Sequence, residues 1–240
     1  MIARKLFPSS FASAPRRSVI ASAVAVSLLL AGCGGGATGG SSAPVASDSR
    51  ASLPDAVSRS FAPNYDSRIE SHGIWRGRTL RVFFPGDADA AVGSAALTRW
   101  EEATGGFFHW ERAPTSDTAQ VSFNLVGTDT FEPGVVGKTH YAYDASKNEL
   151  TSADVRIARS GPVSDQVATA VHELGHALGI HGHSDATSDM MFASLTSQSV
   201  ITERDLNTLF YLYRDSESGV VTPGRAAHMI NVTIECGASR

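Results

Sequence analysis

The run HELGHALGIHGHSDATSDMM, from His172 to Met191, gathers four histidines and one glutamate into twenty residues. On an α-helix, side chains at i and i+4 stand one above the other on one face, so His172 and His176 can turn their imidazoles towards one point. Two imidazoles at that spacing suit a zinc ion. Glu173, about 100° further round the helix, reaches a water on such a metal without ligating it. A catalytic zinc usually takes three protein ligands and keeps a further position for water, so a third ligand is expected downstream.

Gly179 is where the chain can turn back, because glycine tolerates the left-handed conformation that ends helices. Beyond it stand His181 and His183. The string resembles the metzincin signature H-E-x-x-H-x-x-G-x-x-H, and within the metzincins it looks most like the matrixin family. It departs from that pattern at one place: one residue separates Gly179 from His181 and three separate it from His183, where the family has two. Ser184 follows His183, and Met191-Phe192 resembles the Met-Tyr of the family's methionine turn. Counted from His183 these fall in the family register; counted from His181 they do not. His183 is therefore the preferred third ligand, with Gly182 absorbing the inserted residue. His181 stays as the alternative, and Asp185 as a more distant one, since some metzincin relatives use aspartate there.

The resemblance implies a zinc-dependent endopeptidase, with one Zn²⁺ on His172, His176 and His183. Glu173 would be the general base, and Met191 a packing floor beneath the metal rather than a ligand. It also implies an α+β catalytic domain: a twisted mixed β-sheet with a long N-terminal helix and the zinc-site helix, then a small C-terminal part with the methionine turn and a final helix. A bare H-E-x-x-H arises by accident on amphipathic helices, but here the glycine, the further histidines and the methionine follow in order. Two other readings are open. A distant glutamate such as Glu203 could be the third ligand, although its place in a helix's first turn suits capping better. Alternatively, a lipid-tethered, non-catalytic zinc-binding or assembly protein could use His181 and His183 together in a closed site.

The elements that must position these residues are visible in the apolar pattern. Val167, Val171, Leu174 and Leu178 make the stripe of a helix packed on a core, with Ser164 as its expected N-cap and Asp165 in the first turn. Gly175 is unexpected mid-helix and costs up to about 1 kcal/mol relative to alanine. Upstream, Leu80, Val82 and Phe84 alternate as a strand, and Val92, Ala96, Trp100 and Ala103 follow helical spacing up to Gly105-Gly106. Strands are expected at Val121–Leu125, Val135–Tyr143 and Asp154–Ala158. A final helix opens at Thr202, whose spacing to Asp205 resembles a capping box, and buries Leu206, Leu209, Phe210 and Tyr213. The catalytic domain is thus expected over residues 78–215. Residues 216–240 form a tail in which Ile230–Ile234 could add a strand.

Ahead of the domain, residues 1–32 read as a signal peptide: four basic residues and no acid, then the apolar run Ile20–Leu30, too short to span a bilayer. Leu30-Ala31-Gly32-Cys33 resembles the lipobox of bacterial lipoproteins, which implies cleavage before Cys33 and a lipid on its thiol. Arg16-Arg17 also looks like a twin-arginine export motif, leaving the export route open. The expected location is the bacterial cell envelope, lipid-anchored at the outer membrane, or secreted. Residues 33–54, rich in Gly, Ser and Ala, suit a flexible tether, and residues 55–77 an N-terminal arm or short pro-segment. That arm has no cysteine, so it cannot offer zinc a thiol as the propeptide of many matrixins does.

With Cys33 acylated, Cys236 has no disulfide partner in a chain of two cysteines. Loss of residues 1–32 takes the formal charge from −4 to −8, which argues against nucleic acid and leaves a protein or peptide substrate as the expected partner of a monomer. His140 lies in the segment that family topology makes the edge strand beside the cleft, where an extended substrate could add as a further strand. It suits a surface position better than a second zinc site, since no other histidine is near. His72, His109 and His228 show no partner pattern. Acids around Asp144 and Asp154 could bind Ca²⁺, as family members often do, but no dense D-x-[DN]-x-[DN] loop supports it.

Overall fold

A computed structural model describes residues 73–195, 199–214 and 228–238, all within the compact unit Asp48–Arg240. The signal region, Cys33, the tether, His72 and most of the arm lie outside the described residues. Alternating burial fixes the central strands: β1 (Thr79–Phe83) buries Leu80 and Val82, and β3 (Val121–Val126) buries Val121, Phe123 and Leu125. Between them come helix α1 (Asp87–Ala103) and β2 (His109–Arg112). The helix ends at Gly105 and Gly106, both with positive φ (62° and 80°).

The long hairpin β4 (Val135–Asp144) and β5 (Glu149–Ala158) leads into α2 (Val163–Ala177). The short β6 (Ser194–Leu195), helix α3 (Glu203–Tyr213) and β7 (Met229–Ala238) follow. All seven strands form one sheet in the order β2-β1-β3-β5-β4-β7-β6. Only β4 runs against its neighbours, so the sheet is mixed. The architecture is the expected α+β one. No helix among the described residues is long and apolar enough to cross a membrane.

The two long helices are joined by a buried hydrogen bond from Trp100 Nε1 to the carbonyl of Val171 (2.7 Å). The buried carbonyls that the end of α2 leaves without a helical partner are taken up by two other aromatics. Trp75 Nε1 donates to Ala177 O (2.8 Å) and Tyr213 Oη to Leu178 O (2.7 Å), so the last turn is satisfied by side chains from both ends of the domain. Phe107, Phe108, Phe210 and Tyr213 pack edge to face around that joint.

Several elements depart from the expected pattern. Helix α2 begins at Val163 with Pro162 at the N-cap, not at Ser164, whose hydroxyl turns to Asp165 instead (3.2 Å). Pro162 has no N–H to satisfy and a φ of −63° set by its ring, so the chain enters the helix earlier. Strand β5 starts at Glu149 rather than Asp154, because its first half, with two exposed residues side by side at Thr151 and Ser152, alternates weakly and becomes a strand by pairing with β4. Strand β2 buries almost nothing, which hid it from the apolar pattern. Most consequential is β7. The strand anticipated at Ile230–Ile234 runs ten residues and pairs with the whole of β4, so β4 is not an edge.

Candidate metal centre

Helix α2 presents His172 and His176 from consecutive turns, both fully buried, and Gly179 (φ 118°) reverses the chain immediately after it. Each histidine is pinned by the nitrogen facing away from its neighbours. The Nδ1 of His172 lies 2.7 Å from Met190 O and that of His176 lies 2.6 Å from Ile180 O. A carbonyl only accepts, so both Nδ1 atoms must carry the proton, which leaves the Nε2 atoms as bare lone pairs. Those lone pairs converge: His176 Nε2 is 3.1 Å from His172 Nε2 and 3.3 Å from His183 Nε2. The two acceptors His172 Nε2 and His176 Nε2 repel unless a cation lies between them, and the ligand atoms of all three histidines fall within 4.8 Å of one another. The donor set therefore fits the zinc that the residue pattern implies. Burial pushes the His172 pKa down to about 3 and lowers those of His176 and His183 as well, so all three stay neutral and ready to ligate.

The other candidates are placed elsewhere. His181 packs its ring on Tyr141, with centroids 4.3 Å apart, outside the three-histidine group. Asp185 is exposed and pairs with Arg204 (2.7 Å). Glu203 is an exposed residue of the first turn of α3. His140 is exposed and meets Thr233 of β7 (2.9 Å), while His109, also exposed, pairs with Glu101 (2.7 Å). Asp144 is taken up by Ser146 and Lys147, and Asp154 by Asn124 and Arg156.

Glu173 is wholly buried beside the histidines. Thr139 of β4 places its hydroxyl 2.6 Å from Glu173 Oε2, while Oε1 receives no N–H or O–H donor. Burial raises the Glu173 pKa to about 7, against the opposing pull of Cys236 and Thr139. Two glycines make the space. A Cβ on Gly137 would lie 2.5 Å from Glu173 Oε1, and one on Gly175 would lie 2.4 Å from Met191 Sδ. That second contact accounts for the glycine inside α2.

The loop beneath the histidines is clamped by two acids, Asp205 and Asp189. Asp205, at the third position of α3, accepts from the backbone N–H groups of Met190 (3.0 Å) and Met191 (3.2 Å) while completing the capping box with Thr202. Asp189 accepts from Ser184 Oγ (2.5 Å), Thr202 Oγ1 (2.9 Å) and Arg204 Nε (2.9 Å). Burial alone would raise the Asp189 pKa, but these donors outweigh it and hold the carboxyl low. Thr139, Cys236 and Asp189 carried no sequence signal. The capping spacing pointed to Asp205, though not to its reach under the metal site.

Comparison with known proteins adds two findings. A family model described as Matrixin matches residues 85–214. The metalloendoproteinase 2-MMP of Arabidopsis thaliana is 28% identical over 138 residues, covering 51% of this chain and 36% of that protein. The chain thus matches little more than a third of that relative's length.

Proposed function

The match over residues 85–214, more than half of the 240 residues, makes this chain a member of the matrixin family, and on that premise we propose that it is a zinc-dependent endopeptidase with Glu173 as general base. The observation that carries the reading is the convergence of ring nitrogens from His172, His176 and His183, the first two held unprotonated at Nε2, next to the buried Glu173 side chain. Zinc held by these residues would polarise a scissile carbonyl and lower the pKa of the attacking water.

Every other requirement falls to the chain itself. Met190 O and Ile180 O fix the tautomer and plane of the first two imidazoles. Glu173 accepts a proton from the attacking water and returns it to the leaving amine, and a pKa near 7 suits both halves of that exchange. Thr139 orients the carboxylate from the opposite side. The substrate is an extended protein or peptide. The lipobox-like Leu30-Ala31-Gly32-Cys33 supports a lipid tether that holds the enzyme in the cell envelope.

Replacing Glu173 with Gln tests the assignment. The variant keeps one zinc per chain by metal analysis and loses roughly 10²–10⁴-fold in peptide turnover. Full turnover by Glu173→Gln would remove Glu173 from the mechanism. The non-catalytic alternative drew its closed site from His181 together with His183, but His181 lies against Tyr141, apart from the cluster.

A further inference from the structure

The third histidine of the metal centre is held differently from the other two. The Nδ1 atoms of His172 and His176 each face a main-chain carbonyl, Met190 O and Ile180 O. Among the described residues, Nδ1 of His183 has no hydrogen-bond partner. His183 thus lacks the acceptor that usually fixes the plane of a ligand histidine. Its main chain is loosely bounded as well. Ile180 is fully buried and gives its carbonyl to His176, and Ser184 is tied back by its N–H to Met191 O (2.7 Å). Between these fixed points lie His181, Gly182 and His183, one residue more than the matrixin spacing provides. A glycine beside the ligand and an inserted residue both add freedom that metal binding has to remove.

What fastens this stretch is the ring of His181. It lies on Tyr141 with centroids 4.3 Å apart and planes inclined at 42°, a close aromatic contact. The support is rigid, because Tyr141 is fully buried in β4 and paired with Ala153 of β5 on one side and Val232 of β7 on the other. Its hydroxyl is buried without a hydrogen-bond partner, so the contact is made through the ring. Side chains two apart on a strand share a face. The face of β4 that sets Thr139 against Glu173 therefore also sets Tyr141 against His181. One strand braces both the base and the loop of the third histidine.

We propose that His181 is a positioning residue for the metal centre: its stack on Tyr141 anchors the enlarged loop and so sets where His183 places its ligand nitrogen. The proposal rests on the metal reading of the three histidines given above. It accounts for the inserted residue, since the extra length that Gly182 accommodates carries its own fastening. His181 acts through its ring and supplies no ligand, so a phenylalanine there serves equally well.

The test uses the full chain and two measures of the metal site: zinc affinity by competition with a chelator, and the visible spectrum after cobalt replaces zinc. His181→Ala binds zinc roughly tenfold more weakly or worse, as loss of a supporting contact around a metal usually does. Its cobalt bands lose intensity as the tetrahedral geometry relaxes. His181→Phe keeps the stack and returns both measures to wild type. Tyr141→Phe, which removes only the unpartnered hydroxyl, leaves both unchanged. Wild-type affinity and spectrum in His181→Ala would overturn the proposal. So would a His181→Phe protein as weak as His181→Ala, because a ring without nitrogens would then fail and His181 would itself be a ligand. Where His181→Ala does not fold, His181→Phe decides alone: tight zinc supports the stack and weak zinc refutes it. A wild-type chain that takes up no zinc would refute the metal reading instead, and the proposal would fall with it.

Discussion

The hydroxyl of Thr139 meets Glu173 twice, 2.6 Å from Oε2 and 2.9 Å from the main-chain oxygen. It favours the ionised carboxylate and so opposes the rise that burial imposes. Thr139→Val therefore moves the acidic limb of kcat/KM to higher pH by about one unit, and Thr139→Ser restores it. A pH–rate profile that stays in place would remove Thr139 from the positioning of the base. His172, Glu173 and His176 were legible in the sequence because a helix fixes their relations within five residues. His183 needed Ser184 and Met191 as register marks. Thr139 and Cys236 were not legible, since strands 34 and 63 positions from Glu173 bring them there, and a threonine or a lone cysteine in a strand looks like packing.

At the scale of elements, α3 is the fastening of the metal loop. The wholly buried Asp205 ties the N-terminus of α3 to Met190 and Met191, and Met190 in turn offers its carbonyl to His172. Removing the carboxylate leaves two buried N–H groups without their acceptor and loosens the cap. Asp205→Ala is expected to cost ~2–4 kcal/mol in denaturant unfolding and to weaken zinc binding, read by competition with a chelator. Unchanged metal affinity would show that the loop holds its shape without α3. The pattern of apolar residues revealed α1, α2 and α3 because each buries a continuous stripe, as with Val167, Val171 and Leu174. It missed β2, whose side chains are largely exposed, and the ends of β7, whose inward side chains are mostly only half-buried.

For the molecule as a whole, acidity and metal compete for the same three rings. Without metal, the folded protein holds His172 at about 3, and His176 and His183 also below the ordinary 6.5. The unfolded chain binds more protons in that window, so stability is lost as pH falls from 6.5. Glu173, raised from 4.5 to about 7, works the other way, losing stability as pH rises through that range, but it is one group against three. Chelated protein should therefore melt at progressively lower temperature between pH 7 and pH 5 (a window set by those histidine shifts). A melting temperature that holds or rises on acidification would contradict the buried, neutral histidines. Below that range Asp144, held at about 2 by Ser146 and the backbone of His228 and Ser146, loses its contribution as well.

The sheet as described ends in two short strands, β2 with four residues and β6 with two. Short borders offer little for another molecule to zip onto. Taking β7 away changes this character, because it bares the open side of β4, ten residues long. Loss of β7 would thus make the protein adhesive to its own kind. A chain ending at Arg214 should remain monodisperse in the presence of an extended peptide and self-associate without one, as light scattering would record. On this reading β7 serves solubility as well as the fold, by keeping the long side of β4 out of reach of other copies.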